Sequence, residues 1–383
     1  MKRNKPTRSQ KILLKPTPSQ DAYLTWLVGA RRYIQNWAVE YSNAHYSQLG
    51  RYPTKRELLD AFIQLRAIPE NTWLNQVPAP IYQRVLGNIV TGFVQFFKDR
   101  KNDKKPKRYK RKPPKTNKKY HHDSFYVSND HGYIQDGHFK CPGLKAHIKV
   151  TEAPRFGGKI LCYTVVRERG QWFVVVTFEF DKDPKHRCKN STSAVGVDLG
   201  IANQVTLSTG EQYSIRDLTK LERKRRYLQK CLGRKQKGSK NYNKTLCKLQ
   251  RTYTRMSNQR SDDTHKITTT IAKNHGIVVL EDLDIQAMHD CAKWRKLRSA
   301  LKMASMSEFK KQLIYKCQKV FMVDRFFPSS QICSKCGHRH KMPLNVRTYV
   351  CPECGLVIDR DVNAAINILA QYISGRGTPV VSC

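Results

Sequence analysis

Four cysteines are spaced to hold one metal ion. Cys333-x2-Cys336 and Cys351-x2-Cys354 are separated by 14 residues, which approximates the spacing of a four-thiolate zinc ribbon. Each pair forms a tight turn that aims two thiolates at one tetrahedral ion. Gly337 and Gly355 directly follow the pairs, where such turns need a residue free to take positive φ. Four thiolates leave no open coordination position, so the Zn2+ expected here is structural. A redox pair or an iron site is the competing chemistry. His338 and His340 lie between the pairs and read as solvated or phosphate-facing groups, because the thiolates already fill the shell.

Three acids stand out by position. Asp198 ends the apolar run AVGVD, Glu281 ends GIVVLE, and Asp361 lies in DRDVNAAINIL at a helix start. Two strand ends and a helix start can converge on one edge of an α/β sheet. Grouped carboxylates suit a pair of Mg2+ ions, and two-metal hydrolysis of phosphodiesters needs such a group. The bland alternative is that each acid is a cap or turn residue. Asp282, Asp284 and Asp359 are neighbours that compete for the assignment. Glu281 is preferred to Asp282 because it closes the apolar strand; spacing does not decide between Asp359 and Asp361. VGVDLG is also similar to the first phosphate loop of actin-like ATPases, but a second Gly-rich phosphate loop does not follow.

Charge says what the acids would act on. The chain of 383 residues holds 71 Lys and Arg against 30 Asp and Glu, a formal charge of +41. Such a charge opposes compaction unless a polyanion neutralises it, and a phosphate backbone releases counterions when it does. An acidic membrane surface is the competing partner. No apolar run approaches the roughly 20 residues that span a bilayer. MKRNKPTRSQ lacks an apolar segment behind it, so no signal peptide is expected, and the reading is a cytoplasmic protein. The other eight cysteines read as buried small hydrophobes or inert thiols.

The elements that would carry these groups follow from local pattern. Thr17-Pro18-Ser19-Gln20 starts a helix with a capping box, and Tyr23, Leu27, Ala30, Ile34, Trp37 and Tyr41 form its apolar face. Further helices are expected at about 55–67 and 79–98. Residues 100–119 hold 12 Lys or Arg, one Asp and three prolines; they read as a solvated linker or a nucleic-acid-contacting loop, with Lys107, Arg108, Arg111 and Lys112 as candidate contacts. Residues 120–181 are β-rich, with two strands joined by a short Gly turn, and suggest a small barrel or sheet completed by the N-terminal segment. From 190 the pattern is α/β, opening with three short strands. Residues 217–260 read as a basic helical hairpin with Leu228, Leu232, Leu246, Leu249 and Tyr253 at its seam. A separate helix near 262–274 leads into GIVVLE, and one near 305–318 leads into KVFMVD.

Together these strings resemble TnpB, the family of transposon-encoded RNA-guided DNA endonucleases related to type V CRISPR effectors. The resemblance runs through KPTPSQ, ARRYIQNWA, VGVDLGIAN, GRKQKGSKN, NQRSDDTH, LEDL, PSSQICSKCG, CPECG and DRDVNAAINIL. It implies an α+β multidomain chain: a helical recognition lobe (16–119), a β-barrel wedge domain (1–15 and 120–189), then a RuvC-like nuclease of RNase H type (190–325 and 358–373). A zinc ribbon (326–357) is inserted in the nuclease, and a disordered tail (374–383) ends the chain. By motif match, the catalytic Mg2+ ligands fall on Asp198, Glu281 and Asp361. The implied partners are a guide RNA from the transposon end and target DNA, double- and single-stranded, bound by one chain with one RNA near the nucleoid. A nuclease-silent RNA-guided repressor and a CRISPR effector of the same lineage are the alternatives.

Overall fold

The structure is a computed structural model of the full chain. It describes residues 5–102, 110–118, 123–181, 188, 192–291, 294–343, 346–375 and 377–380. The chain divides into two compact units, Met1–Asp183 and Pro184–Cys383.

The first unit begins with strand β1 (Thr7–Lys15), then helices α1 (Pro18–Leu49) and α2 (Lys55–Ala67), a 3-10 segment at Pro69–Gln76, and α3 (Ala79–Lys101). Thr17 caps α1: its hydroxyl accepts from the Gln20 amide while the Gln20 side chain accepts from the Thr17 amide. Thr54 and Glu57 repeat this device at α2. Strands β2 (Ser124–Ser128), β3 (Ile134–Gln135), β4 (His138–Phe139), β5 (Ile148–Val150), β6 (Lys159–Glu168) and β7 (Gln171–Glu179) complete the unit. Their sheet runs β2-β6-β7-β1-β5-β4-β3, antiparallel at every pairing. The expected barrel is therefore an open half-barrel, because the described edge strands β2 and β3 do not pair with each other. β1 lies inside it, paired with β7 from Thr7 to Leu14. Helices and sheet share one core, in which Leu27, Ile34, Phe62 and Phe93 join Ile12, Val174 and Phe178. The indole of the buried Trp172 donates to Asp21 at 2.6 Å, tying β7 to the first turn of α1.

The second unit is built on β8 (Ala194–Asp198), β9 (Val205–Leu207), β10 (Gln212–Tyr213), β11 (Ile277–Glu281), β12 (Lys319–Val323) and β15 (Thr378–Pro379). The sheet order is β10-β9-β8-β11-β12-β15, with β8, β11 and β12 parallel. Between β10 and β11 stand α4 (Thr219–Gly233) and α5 (Lys240–Asn274). α5 is one continuous helix, where the sequence suggests two, since its Thr and Lys residues weaken the apolar signal without breaking the backbone. Leu228 and Leu249 are buried in the hairpin, and Thr252 and Met256 are buried alongside them. Helices α6 (Ile285–Cys291), α7 (Arg295–Ala304) and α8 (Met306–Lys316) lead to β12; hairpin β13–β14 (Thr348–Val350, Val357–Asp359) leads to α9 (Arg360–Ile373).

Within residues 374–383, expected as a disordered tail, Thr378–Pro379 form β15; residues 376 and 381–383 lie outside the described residues. Met322 faces Thr378 and Phe321 faces Pro379, and the Val380 amide donates to the Val320 carbonyl at 2.8 Å. The open edge of β12 captures the chain end because its backbone groups otherwise lack partners.

Candidate metal centres

The thiolate centre is assembled by local turns. The ligand atoms of Cys333, Cys336, Cys351 and Cys354 all lie within 4.8 Å of one another, with 3.5 Å between the sulfurs of Cys333 and Cys354 and of Cys336 and Cys351. The Gly337 amide closes one turn on the Cys333 carbonyl and the Gly355 amide closes the other on Cys351. Both glycines have the positive φ these turns require, +77° and +67°. Burial raises the Cys333 thiol, but the amides of Cys336 and Lys335, together with hydrogen bonds from the Cys354 and Cys336 thiols, bring the group down to about 6. Tyr349 is fully buried beneath the cluster. Four close sulfurs fit a tetrahedral zinc ion.

The carboxylates are assembled by tertiary structure. Parallel strands β8 and β11 pair with Val197 opposite Leu280, so Asp198 and Glu281 follow at the C-terminal ends of neighbouring strands. Asp361 stands in the first turn of α9, which packs on β8. That packing depends on Gly196. A Cβ there would lie 2.0 Å from the Ala365 carbonyl oxygen and 2.9 Å from the Leu369 nitrogen, so only glycine lets the helix backbone press on the strand. Electrostatics links the three acids. Burial, then the charge of Asp361, raises Asp198 to about 7. Burial, then the charge of Asp198, raises Glu281 to about 7.

The competing acids have other partners. Asp359 caps α9, its carboxylate accepting from the amides of Asp361 at 2.9 Å and Val362 at 3.1 Å. Asp282 is paired with Lys310 at 2.6 Å and Arg325 at 2.8 Å. Asp284 caps α6 through the Ala287 amide and also meets Arg325. Asp361 has cationic neighbours too, Arg347 at 3.2 Å and Arg360 at 3.4 Å. Among the described residues, only the four cysteines bring three or more His, Cys, Asp or Glu ligand atoms within 4.8 Å of one another; the acids form a looser group.

Several supporting residues carry no local sequence signal of their role. Asn363 and Asn367 are both buried. The Asn363 amide donates to the Ile332 carbonyl at 2.7 Å and accepts from the Ser334 amide at 2.9 Å. Asn367 donates to the carbonyls of Ser329 and Ile332 at 2.8 and 2.7 Å. The side chain of Ser329 in turn hydrogen-bonds Glu281. One loop thus links the first Cys pair, the helix bearing Asp361 and the strand end bearing Glu281. Two asparagines four apart on the buried face of an apolar helix are the one trace that sequence could have offered. Of the candidate nucleic-acid contacts, Lys107 and Arg108 lie outside the described residues. Lys112 is exposed. Arg111 is exposed, with its amide on the Asp99 carboxylate at 2.9 Å and its guanidinium on Gln95.

Comparison with known proteins identifies the class first. Residues 173–292 match the OrfB_IS605 family, described as "Probable transposase", and residues 307–368 match the TNB domain of Cas12f1-like proteins. Over 379 residues the chain is 34% identical to a Streptomyces pristinaespiralis protein named "Putative RNA-guided DNA endonuclease", covering 96% of this chain and 90% of that one. The like-named InsQ of Escherichia coli K12 is 27% identical over 393 residues, covering 97% and 93%. Among solved structures, a Cas12f1–sgRNA–target DNA complex is matched at TM-score 0.30 and 14% identity, over 95% of this chain and 99% of that one. The mini-RNA-guided endonuclease Cas_phi3 is matched at TM-score 0.49 and 11% identity, over 96% and 92%. The chain belongs to the TnpB family of RNA-guided DNA endonucleases. Among the described residues no helix is long and apolar enough to cross a membrane.

Proposed function

We propose that the chain is an RNA-guided DNA endonuclease, with a RuvC-like nuclease in its second unit and Asp198, Glu281 and Asp361 as the ligands of two Mg2+ ions. The observation that carries this reading is the register of β8 and β11, which sets two acids side by side at strand ends while α9 brings a third whose charge Asp198 feels. All three offer hard oxygen donors, which suit Mg2+. Burial and the charge of a neighbouring acid disfavour the ionised forms of Asp198 and Glu281, and a bound cation relieves both. When bound, the pair of ions supplies Lewis acidity at the attacking and leaving oxygens of a phosphodiester.

The protein's own residues do the rest. Asp198 and Glu281 are fixed by rigid strands, and Ser329 orients Glu281 through a hydrogen bond. Arg347 and Arg360 stand beside Asp361, where they can meet a phosphate. The four cysteines hold a structural Zn2+ that shapes the loop behind the acids. In the first unit the helices and half-barrel serve as recognition and wedge regions for one guide RNA from the transposon end and the target DNA, with Lys112 among the contacts. Base pairing with the guide supplies target specificity, and the protein reads a short flanking motif.

The test is Mg2+-dependent cleavage of a plasmid matched to the guide by protein co-purified with its transposon-end RNA. Cleavage that vanishes in Asp198→Ala, with target binding retained, is expected. Guided binding without cleavage by the unaltered chain would leave a nuclease-silent repressor. Cleavage by Asp198→Ala at the unaltered rate would overturn the site.

A further inference from the structure

In the helical part of the first unit, three aromatic rings form a column that runs from core to surface. Phe93 of α3 is 2% exposed. Tyr52 stacks on it, with centroids 3.9 Å apart and planes 22° from parallel. Tyr46 stacks on Tyr52 at 4.6 Å and 24°. The turn between α1 and α2 makes this possible: Gly50 ends α1 at φ +66°, reversing the chain so that Tyr46 and Tyr52 meet. Tyr46 is the outer ring and is 41% exposed. Phe97 flanks the column, 5.5 Å from Tyr52.

These rings line an open cleft of about 550 Å3, with Val94, Arg51 and Lys55 also in its wall. Val94 is 59% exposed. The volume falls in the range of about 300–1,000 Å3 typical of small-ligand sites, enough for a nucleotide. An apolar cleft left open to water marks a binding site more often than chance exposure does. Its chemistry selects the occupant. A column that ends in an exposed ring offers a stacking face to one more flat ring, and every nucleobase has one. The rim is cationic. Arg51 is held by Glu57 at 2.9 and 2.7 Å, whereas Lys55 is exposed and forms no ion pair among the described residues. Lys55 and Val90 also line an adjoining hollow of about 690 Å3 that includes Arg84, Asn88 and His131. The path a strand would follow is therefore continuous and polar beyond the cleft.

We infer that this cleft takes one unpaired nucleobase of a single nucleic-acid strand, stacked on Tyr46 with its phosphate against Lys55. The inference rests on the nucleic-acid reading above and is independent of the nuclease step. Stacking is worth roughly tenfold or more in affinity per base removed.

The experiment measures binding of the full chain to labelled oligouridylate and oligothymidylate strands of equal length. Chelator prevents cleavage, and a duplex of the same length is carried alongside. Tyr46→Ala and Val94→Glu change exposed positions, and unchanged thermal melting verifies their folding. Both are expected to weaken single-strand binding about tenfold, to leave duplex binding unchanged, and to be matched by full binding in Tyr46→Phe. The strand that loses more identifies RNA or DNA as the source of the base. Single-strand affinity unchanged in both variants would overturn the inference and leave the nuclease reading standing. Absence of strand binding by the unaltered chain would overturn both. If Val94→Glu instead dissociates a dimer and strand binding is unchanged, the cleft seats a second copy of the chain and the inference fails.

Discussion

The two metal centres of the second unit are built by opposite routes. The four sulfurs are gathered by two short turns, each closed by one backbone hydrogen bond and a glycine. The three carboxylates are gathered by a strand register, a helix that needs Gly196 to approach, and a loop clamped by two asparagines. The first route gives a tight cluster, and the second gives a looser one in which burial and a neighbouring acid raise Asp198 and Glu281. A structural ion can be specified locally because it only has to be enclosed. A pair of catalytic ions must stay open to substrate, so their ligands are spread over elements that meet only in the finished fold.

The contrast can be broken at several points. The largest effect is expected from Cys351→Ser, which removes a ligand whose metal contributes folding energy. Its zinc content, read by atomic emission, should fall, and soluble yield should collapse; a folded, zinc-free variant would show that the ribbon does not need its ion. Next come Asp198→Ala, Glu281→Ala and Asp361→Ala, each expected to cut cleavage at least a thousandfold, a loss of roughly 4 kcal/mol of transition-state stabilisation, while zinc content and guide binding stay normal. Asn363→Ala sits between the two centres. It strands the Ser334 amide and weakens the hold on the Ile332 carbonyl, costing about 1–3 kcal/mol. Cleavage should fall while zinc stays bound, and equal loss of both would merge the two centres into one cooperative unit.

The smallest effect is one of sign. Asp198 is raised from an ordinary carboxylate value to about 7. Between those values the unfolded chain has released a proton that the folded chain still holds, so stability falls as pH rises from about 4 to 7. In chelator, Asp198→Asn should therefore melt higher than the unaltered chain, by a margin that widens over that pH range. A margin that stays constant with pH would show that Asp198 titrates normally.

Local features were legible in the sequence, and long-range ones were not. The CxxCG pairs carry their geometry within a few residues, as do the capping box at Thr17 and the apolar strands that end at Asp198 and Glu281. Spacing could not separate Asp359 from Asp361, because the difference is a capping duty visible only once α9 is in place. Arg347 meets Asp361 across the β13–β14 hairpin, and Ser329 meets Glu281 from the loop after β12, through pairings that no window of sequence contains. The openness of the half-barrel and the pairing of β15 were not legible for a related reason: whether a sheet closes, or an edge strand gains a partner, depends on the rest of the fold rather than on pattern.

The place of α9 has a consequence for any shortened form of the protein. The helix packs on β8, yet it follows β8, β11, β12 and both cysteine pairs along the chain. Without it β8 has an uncovered face and Asp198 has no Asp361 beside it. A chain cut short before Arg360 would keep its cysteine pairs and most of its basic residues but lack the third acid. On the proposed assignment, such a fragment binds without cleaving.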